Sequence, residues 1–157
     1  MTDNAQAAVP QMPIAVFDVD GTLFDPAHRR HFVMHEPKDW DAFFDPSNVI
    51  LDSPKPQVVA MARRYAMTHE IHIVTARREA DRDITVRQLR GHGIPFAALH
   101  IVRPDGERKP DGALKREWLE DFAGRSRIDF VVDDRASVCA MWRAQGLFCF
   151  QVDAGAF

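Results

Sequence analysis

The sequence predicts an α/β protein whose core is a central parallel sheet of five strands with helices on both faces. Five short apolar runs rich in β-branched and aromatic residues alternate with segments whose apolar residues recur at helical spacing. Strands that alternate with helices along a chain favour parallel pairing, because each crossover helix returns the chain to the same end of the sheet. Several apolar runs are followed directly by charged residues, which is typical of strand ends that open into a ligand site.

The predicted elements follow one another without internal repeats. The first strand covers residues 14–18 and ends at two acids and a glycine. Ser53-Pro54 is expected to form the N-cap and first turn of a helix that continues to about residue 66. The remaining elements, in chain order, are a strand at 70–75, a helix at 79–90, a strand at 97–102, a helix at 114–122, a strand at 128–132, a helix at 136–145 and a strand at 147–152.

We divide the chain into a flexible leader at residues 1–13 and a single domain at residues 14–157. The leader is polar and interrupted by prolines. Within the domain, residues 24–52 have no clean period and mix prolines, charges and aromatic side chains. Connections of this length are usually functional, so we expect a short flap over the site.

Composition excludes several classes of protein. The 157 residues are 46% hydrophobic, which is enough for one core and too much for a disordered chain. A net charge of −3 excludes a globally basic nucleic-acid coat, although not a local basic patch. The apolar runs are shorter than the ~18 residues of a membrane span, and the first residues do not resemble a signal peptide. Only two cysteines, Cys139 and Cys149, fit a reducing compartment, so we expect a cytoplasmic protein.

Polar side chains gather at four places that lie at or just after predicted strand ends. They are Asp18-Val19-Asp20-Gly21-Thr22, Thr75-Ala76-Arg77, Arg108-Lys109-Pro110 and Asp133-Asp134. The carboxyl ends of parallel strands meet at one edge of the sheet, so these four places should converge. Side chains alternate along a strand, so Asp18 and Asp20 share a side while Val19 packs inward.

These residue types are complete for metal-assisted phosphoryl transfer to water. Carboxylates brought together repel one another unless a hard dication binds them, and Mg²⁺ is the usual ion with oxygen ligands. One carboxylate can attack phosphorus, and a second can protonate the leaving oxygen and later activate water. A hydroxyl such as Thr75 and a cation such as Lys109 suit the oxygens of the transferring group.

This order of motifs resembles the haloacid dehalogenase (HAD) superfamily of Asp-nucleophile phosphatases, from about residue 14 to the end of the chain. The resemblance implies a HAD-like Rossmannoid fold with a short flap in place of a large cap domain. It implies that Asp18 is the nucleophile and a Mg²⁺ ligand, and that Asp20 is the general acid/base and binds the ion through its carbonyl. Asp133 would complete the metal site with support from Asp134. Thr75 would bind the phosphoryl group.

The same resemblance implies an active-site lysine. We prefer Lys109, because Lys-Pro before a helix is common in that family, and Lys115 is its rival. The segment from Val132 to Trp142-Arg143, with Gly146 and the C-terminal residues 150–157, further resembles the 3′-phosphatase domain of phage polynucleotide kinase–phosphatases. This implies a polynucleotide 3′-phosphate as substrate and a role in end repair. The chain contains no phosphate-binding P-loop motif, so we expect no kinase domain in it.

Several residues are candidates for substrate contact. Arg29, Arg30 and Arg77 could bind phosphate, since a guanidinium matches phosphate geometry. Thr22 and Ala76, which lie within the matching motifs, are added to this set. The aromatic residues Trp40, Phe43 and Phe44 could stack on a base or pin the flap to the core. Five arginines at 77, 78, 82, 87 and 90 could form a track for a phosphate backbone or a solvated helix face.

Three other functions remain to be weighed. A HAD phosphatase for nucleotides or other small phosphomonoesters would keep the same motifs. A phosphorelay receiver domain also combines acids, Thr and Lys, but its acid pair lies at the first strand, unlike the order found here. A catalytically inactive nucleic-acid binding module would not need the intact set of motifs. The sequence leaves the oligomeric state open.

Overall fold

The computed structural model describes residues 11–155, and its central feature is a five-stranded parallel sheet. The strand order is β5-β4-β1-β6-β7, so the first strand of the chain lies in the middle. These strands are β1 (Ile14–Phe17), β4 (Glu70–Arg78), β5 (Ala98–Arg103), β6 (Ile128–Asp133) and β7 (Cys149–Gln151). The predicted parallel sheet is confirmed, with each strand within a few residues of its expected place.

Helices cover both faces of this sheet. The four crossover helices are α3 (Pro56–Tyr65), α4 (Arg82–Gly91), α5 (Asp111–Asp121) and α6 (Ala136–Ala144). The strand β1 is buried along its whole length and its side chains alternate between two cores. Ala15 and Phe17 pack with residues of α3 and α4, whereas Ile14 and Val16 pack with residues of α5 and α6. This alternation matches the two-sided burial expected of a central parallel strand.

The flap differs from one expectation. Ser53-Pro54 does not start α3 but forms β3 (Ser53–Pro54), which pairs antiparallel with β2 (Phe24–Asp25). The helix begins at Pro56 after Lys55 as N-cap, so proline still occupies the first turn, two residues later than predicted. The β2–β3 pair closes the base of the flap. Between these strands lie a 3₁₀ segment at Ala27–Phe32 and two short helices, α1 (Trp40–Phe43) and α2 (Pro46–Val49).

The expected leader is described only in part, since residues 1–10 lie outside the described range. Met12 and Pro13 are not loose. The Pro13 carbonyl accepts a hydrogen bond from the Glu70 amide at 2.9 Å, and the Arg127 guanidinium donates to the Met12 carbonyl at 2.7 Å. Among residues 11–155, no helix combines the length and the apolar character that crossing a bilayer requires.

Candidate active site

The polar residues at the carboxyl ends of β1, β4 and β6 converge on one cleft of about 1070 Å³. The register explains this convergence. Phe17 pairs with Ile73 of β4 on one side and with Val132 of β6 on the other, so the three strands end side by side. The Asp18 amide continues this pairing by donating to the Val132 carbonyl at 3.0 Å. The cleft is lined by Asp18, Asp20, Thr75, Ala76, Arg77, Lys115, Asp133 and Asp134, together with flap residues and residues of the loop at 104–110.

Asp18 lies at the centre of a buried group of polar side chains. The Thr22 hydroxyl lies 3.2 Å from Asp18 Oδ2 and 3.2 Å from Asp134 Oδ1, so it links the two acids. Thr22 is fully buried, and the structure places it against the acids and not on the cleft wall where substrate contact was expected. Gly21 allows the Asp134 carboxylate to lie close to the backbone beside Thr22. Its φ of +87° suits glycine, and a Cβ there would overlap the Asp134 carboxylate.

The lysine at this cluster is Lys115, not the preferred Lys109. Lys115 Nζ, on α5, donates to Asp18 Oδ1 and to Asp133 Oδ2, each at 2.8 Å, and the residue is 2% exposed. The Lys109 side chain is 49% exposed and pairs with Glu117 at 3.0 Å. The geometry therefore favours the rival, Lys115, over the preferred Lys109, which lines the cleft without contacting these acids. The sequence could have indicated Lys115, because it lies four residues before the apolar Leu119. The two side chains therefore share the inward face of the helix.

Burial and neighbouring charges perturb the ionisation of this group. Burial raises the pKa of Asp18 to about 8, and the charges of Asp133 and Asp134 add to the rise while Lys115 opposes it. Burial and the charge of Asp133 likewise raise the pKa of Asp134. For Lys115, burial alone would lower the pKa, but the carboxylates of Asp133 and Asp18 raise it well above its usual value. The ammonium therefore stays charged between two acids.

Three of these acids lie close enough together that they could hold a metal ion. Asp18, Asp133 and Asp134 are all buried and each offers a carboxylate oxygen within 4.8 Å of those of the others. Asp134, expected in a supporting role, thus belongs to the group itself. The Asp20 carboxylate lies outside this group, and the expected role of its carbonyl as a metal ligand stays a prediction. Asp133 is further oriented by the Trp142 indole, which donates to its Oδ2 at 3.3 Å.

Asp20 is held by two arginines that were expected to bind substrate. Arg77 donates to both of its carboxylate oxygens, each at 2.8 Å, and Arg29 donates to Oδ1 at 2.5 Å. Both arginines are buried, with 1% or less of their surface exposed. Burial would raise the pKa of Asp20, but Arg77 and Arg29 together lower it well below its usual range. Asp20 is therefore ionised in this arrangement.

A second acid, Asp52, completes this ion-paired network and was not predicted. It lies 2% exposed at the end of the flap and accepts hydrogen bonds from Arg29 Nε at 2.8 Å and Arg29 NH2 at 2.6 Å. Gln88 of α4 donates to it at 3.3 Å. Nothing in the local sequence marks Asp52, because its partners come from distant segments and it precedes a turn-like Ser-Pro pair.

The other predicted contact residues have mixed positions. Thr75 is 1% exposed and lines the cleft, and its hydroxyl accepts a hydrogen bond from the Arg77 amide at 3.3 Å. Ala76 also lines the cleft. Arg30 directs its guanidinium toward Asp25, with NH2 at 3.4 Å from Oδ1. Of the three arginines expected to bind phosphate, only Arg77 lines the cleft.

Known proteins resemble this chain in sequence and in fold. A family model described as the polynucleotide kinase PNKP phosphatase domain matches residues 12–157. Two solved structures of a Pnkp1/Rnl/Hen1 complex, one of them titled as an RNA repair complex, contain a chain that is similar at 25% and 26% identity, with TM-scores of 0.73 and 0.74. They match 99% and 100% of this chain but 48% and 53% of theirs, so the chain spans about half their length.

More distant structures share the fold alone. A class C acid phosphatase from Bacillus anthracis, solved with tungstate bound, is 16% identical with a TM-score of 0.64 and matches 96% of this chain and 70% of its own. A haloacid dehalogenase-like hydrolase from Streptococcus pneumoniae is 12% identical with a TM-score of 0.63, and the match covers 89% of this chain and 84% of that protein. The expected HAD-like fold is confirmed.

Proposed function

The chain belongs to the family of PNKP phosphatase domains, and from this premise we propose that it is a Mg²⁺-dependent phosphomonoesterase that removes 3′-phosphates from polynucleotide ends. The observation that carries the proposed chemistry is the position of Asp18. Its carboxylate lines an open cleft, contacts the buried Lys115 ammonium at 2.8 Å, and lies within metal-binding distance of Asp133 and Asp134. A nucleophilic carboxylate needs these neighbours, because negative charge must be balanced where two anions meet.

The residues present fit a magnesium ion. Three buried carboxylates against one ammonium leave an excess of negative charge, and carboxylate oxygens are the ligands that Mg²⁺ prefers. Asp18, Asp133 and Asp134 would hold the ion, with the Asp20 carbonyl as a further ligand. When bound, the ion would neutralise phosphate oxygens and polarise the phosphorus toward attack.

The proposed reaction has two displacements at phosphorus. In the first, an Asp18 carboxylate oxygen bonds to phosphorus, the ester bond breaks, and the leaving 3′-oxygen takes a proton from Asp20. In the second, water gives its proton to Asp20 and its oxygen bonds to phosphorus, which releases inorganic phosphate and restores Asp18. Thr75 and Lys115 would bind the phosphoryl oxygens.

The role of Asp20 as an acid requires a change in its partners. Its pKa is lowered while Arg77 and Arg29 both donate to it, so it has no proton to give in this arrangement. Arg77 lines the cleft and would transfer hydrogen bonds from Asp20 to an incoming phosphate, which would raise the pKa of Asp20. Asp20 would then take up a proton from solvent, and this is the proton that it gives to the leaving 3′-oxygen. Arg29, held by Asp52, would remain in place.

Two observations support a polynucleotide end as the substrate. The family is defined by phosphatase domains of polynucleotide kinases, and the relatives of about 25% identity belong to an RNA repair complex. Among residues 11–155, the cleft of about 1070 Å³ is bordered by the short flap at 24–52 and the loop at 104–110, which leaves room for a bulky substrate. A phosphatase of nucleotides or other small esters remains the second outcome of the test below.

The test is phosphate release with Mg²⁺ from four substrates. These are a 3′-phosphorylated oligonucleotide, the same strand with a 5′-phosphate, a 3′-mononucleotide and p-nitrophenyl phosphate, each with Asp18→Asn as the control for contamination. We expect the highest kcat/KM for the 3′-phosphorylated oligonucleotide. Equal or faster turnover of the small esters would overturn the proposed substrate and leave the phosphatase chemistry intact.

A further inference from the structure

Trp40 of the flap is an aromatic residue that packing alone does not explain. Phe43 and Phe44 are only 1% and 9% exposed and pack with Val33, whereas Trp40 keeps 45% of its surface exposed. Phe44 lies nearly parallel to the Trp40 ring, at 19° with 6.2 Å between centroids, and Phe43 meets it edge-on at 5.7 Å. The indole is therefore supported from within the flap while much of its surface faces outward.

The flap holds this indole in a fixed position relative to the candidate active site. One guanidinium, that of Arg29, donates both to the Phe43 carbonyl at 3.0 Å and to Asp20 at 2.5 Å. The helix α1, which begins at Trp40, is tied a second time where Arg78 of β4 donates to Asp41 at 2.7 Å. Trp40 and Asp18 line the same cleft. The aromatic surface thus forms a wall of the cleft that also contains Asp18.

Cations lie beside this aromatic wall. Lys38 Nζ is 5.8 Å from the centroid of the Trp40 ring, and the Arg78 guanidinium is 5.1 Å from that of Phe44. The loop on the other side of the cleft adds Arg108 and Lys109. A flat π-system with negative charge attached to it complements such a wall, since aromatic faces stack on bases and ammonium groups pair with phosphate.

We propose that Trp40 is the platform on which the base of the 3′-terminal nucleotide stacks while its phosphate reaches Asp18. This inference rests on the proposed function and deepens it, because it names the part of the substrate that the flap recognises. The cleft of about 1070 Å³ is large enough for a nucleotide, since pockets for small molecules begin at about 300 Å³. Stacking accepts any base, so Trp40 selects for a base without selecting its identity.

The kinetic test compares two substrates that differ only at the base. One is an oligonucleotide with a normal 3′-phosphorylated terminal residue, and the other has an abasic terminal residue. We expect the unaltered protein to favour the first in kcat/KM by about 5- to 150-fold, the range for one stacked base. Trp40→Leu, which keeps apolar bulk, should bring this ratio close to 1, and Trp40→Phe should give an intermediate ratio.

The ratio cancels any loss common to both substrates, such as a smaller fraction of folded protein. The intermediate ratio expected of Trp40→Phe, which keeps an aromatic ring in the flap, distinguishes loss of stacking from unfolding of the flap. Phe148→Ala is the matched control, because Phe148 is an aromatic residue, 63% exposed, that does not line the cleft. It should keep the ratio of the unaltered protein. A Trp40→Leu ratio equal to that of the unaltered protein would overturn the inference while the oligonucleotide is still hydrolysed.

A binding measurement separates this inference from the proposed function. An oligonucleotide with a 3′-hydroxyl end is added to the protein without turnover, and tryptophan fluorescence is followed. We expect quenching that Trp40→Phe abolishes and that an abasic end does not produce, because Trp142 is fully buried and Trp118 is partly buried. The absence of base-dependent quenching would overturn stacking on Trp40. Quenching without hydrolysis of 3′-phosphate would overturn the proposed reaction instead.

Discussion

Two groups of ionisable side chains lie side by side at the cleft, and their charges are balanced differently. The acidic group is Asp18, Asp133 and Asp134 with one cation, Lys115. The paired group contains two acids, Asp20 and Asp52, and two cations, Arg29 and Arg77.

The paired group neutralises itself, while the acidic group does not. Buried carboxylates in excess raise one another's pKa or bind a cation, so the acidic group is expected to acquire its missing charge from outside. Buried ion pairs that satisfy each other hold geometry without a ligand. From this contrast we infer that the acidic group binds a ligand from outside, whereas the paired group holds the Asp20 carboxylate and the flap in place.

The largest loss of activity is expected when the reacting carboxylate oxygen of Asp18, in the acidic group, is replaced. Asp18→Asn keeps the shape of the side chain but removes the nucleophile, so kcat/KM should fall by at least about 10⁴-fold. Phosphate release measures the activity, and circular dichroism verifies that the fold is kept. Turnover within tenfold of that of the unaltered protein would remove Asp18 from the nucleophile role.

The next effect separates the two lysines. Lys115→Ala leaves three buried carboxylates without their ammonium, and we expect kcat to fall by about 10²–10³-fold. Lys109→Ala removes an exposed ammonium of the cleft that pairs with Glu117 and not with Asp18, so its effect should fall on KM and should change kcat by less than about twofold. A large loss with Lys109→Ala and none with Lys115→Ala would contradict the placement of the active-site lysine.

Magnesium should stabilise the protein through the acidic group and not through the paired group. If the acidic group binds Mg²⁺, the melting temperature should rise by about 5–10 °C at one hundred times the dissociation constant. Asp133→Asn should abolish most of this rise, whereas Asp52→Asn, in the paired group, should retain it. Differential scanning fluorimetry with Mg²⁺ and with a chelator measures the shift, and an equal rise in all three proteins would argue against this site.

A substitution in the paired group should reduce the stability of the protein more clearly than it reduces kcat. Asp52→Asn leaves Arg29 with a weaker buried partner, so the free energy of unfolding should fall by about 1–3 kcal/mol. We expect kcat to fall only about tenfold, which is less than for substitutions in the acidic group, because Arg77 still holds Asp20. Urea denaturation and phosphate release are measured on the same preparation. A thousandfold loss of kcat with unchanged stability would make Asp52 part of the chemistry.

The smallest effect lies away from both groups, at a pair of histidines beside α5. Burial lowers the pKa of His100 to about 4, with a further contribution from His72, whose own pKa burial also lowers. The unfolded chain therefore takes up more protons than the folded chain between pH 6.5 and 4, and stability falls as the pH drops through this range. His100→Gln should reduce the fall in the urea midpoint between pH 7 and pH 5.

The sequence was sufficient for the sheet and for the acids at its edge. The alternation of β1 places Val19 in the core and leaves Asp18 and Asp20 facing the cleft, as a period of two requires. This reasoning works because strand direction and side-chain alternation are local properties. The parallel order then brings Asp133 to the same edge without further information.

The partners of the acids could not be predicted in the same way. Arg29 and Arg77 were expected to be available for phosphate, but they are buried against carboxylates that are 9 to 57 residues away in the chain. Asp52 was missed because its function as a partner exists only after the flap folds back. The identity of the lysine depended on which face α5 turns inward, which the Lys-Pro pattern does not report.

The β2–β3 pair at the base of the flap has a consequence for how such an enzyme could be altered. Because the two ends of the insertion are joined there, the segment between them is a closed loop whose length has a slowly growing entropic cost, about 0.6 kcal/mol for each doubling. Residues 34–38, which are exposed, could therefore be exchanged for longer or shorter segments while Phe43 and Asp52 keep their contacts with Arg29. The outer turn of the flap can thus be remodelled without rebuilding the side chains that hold Asp20.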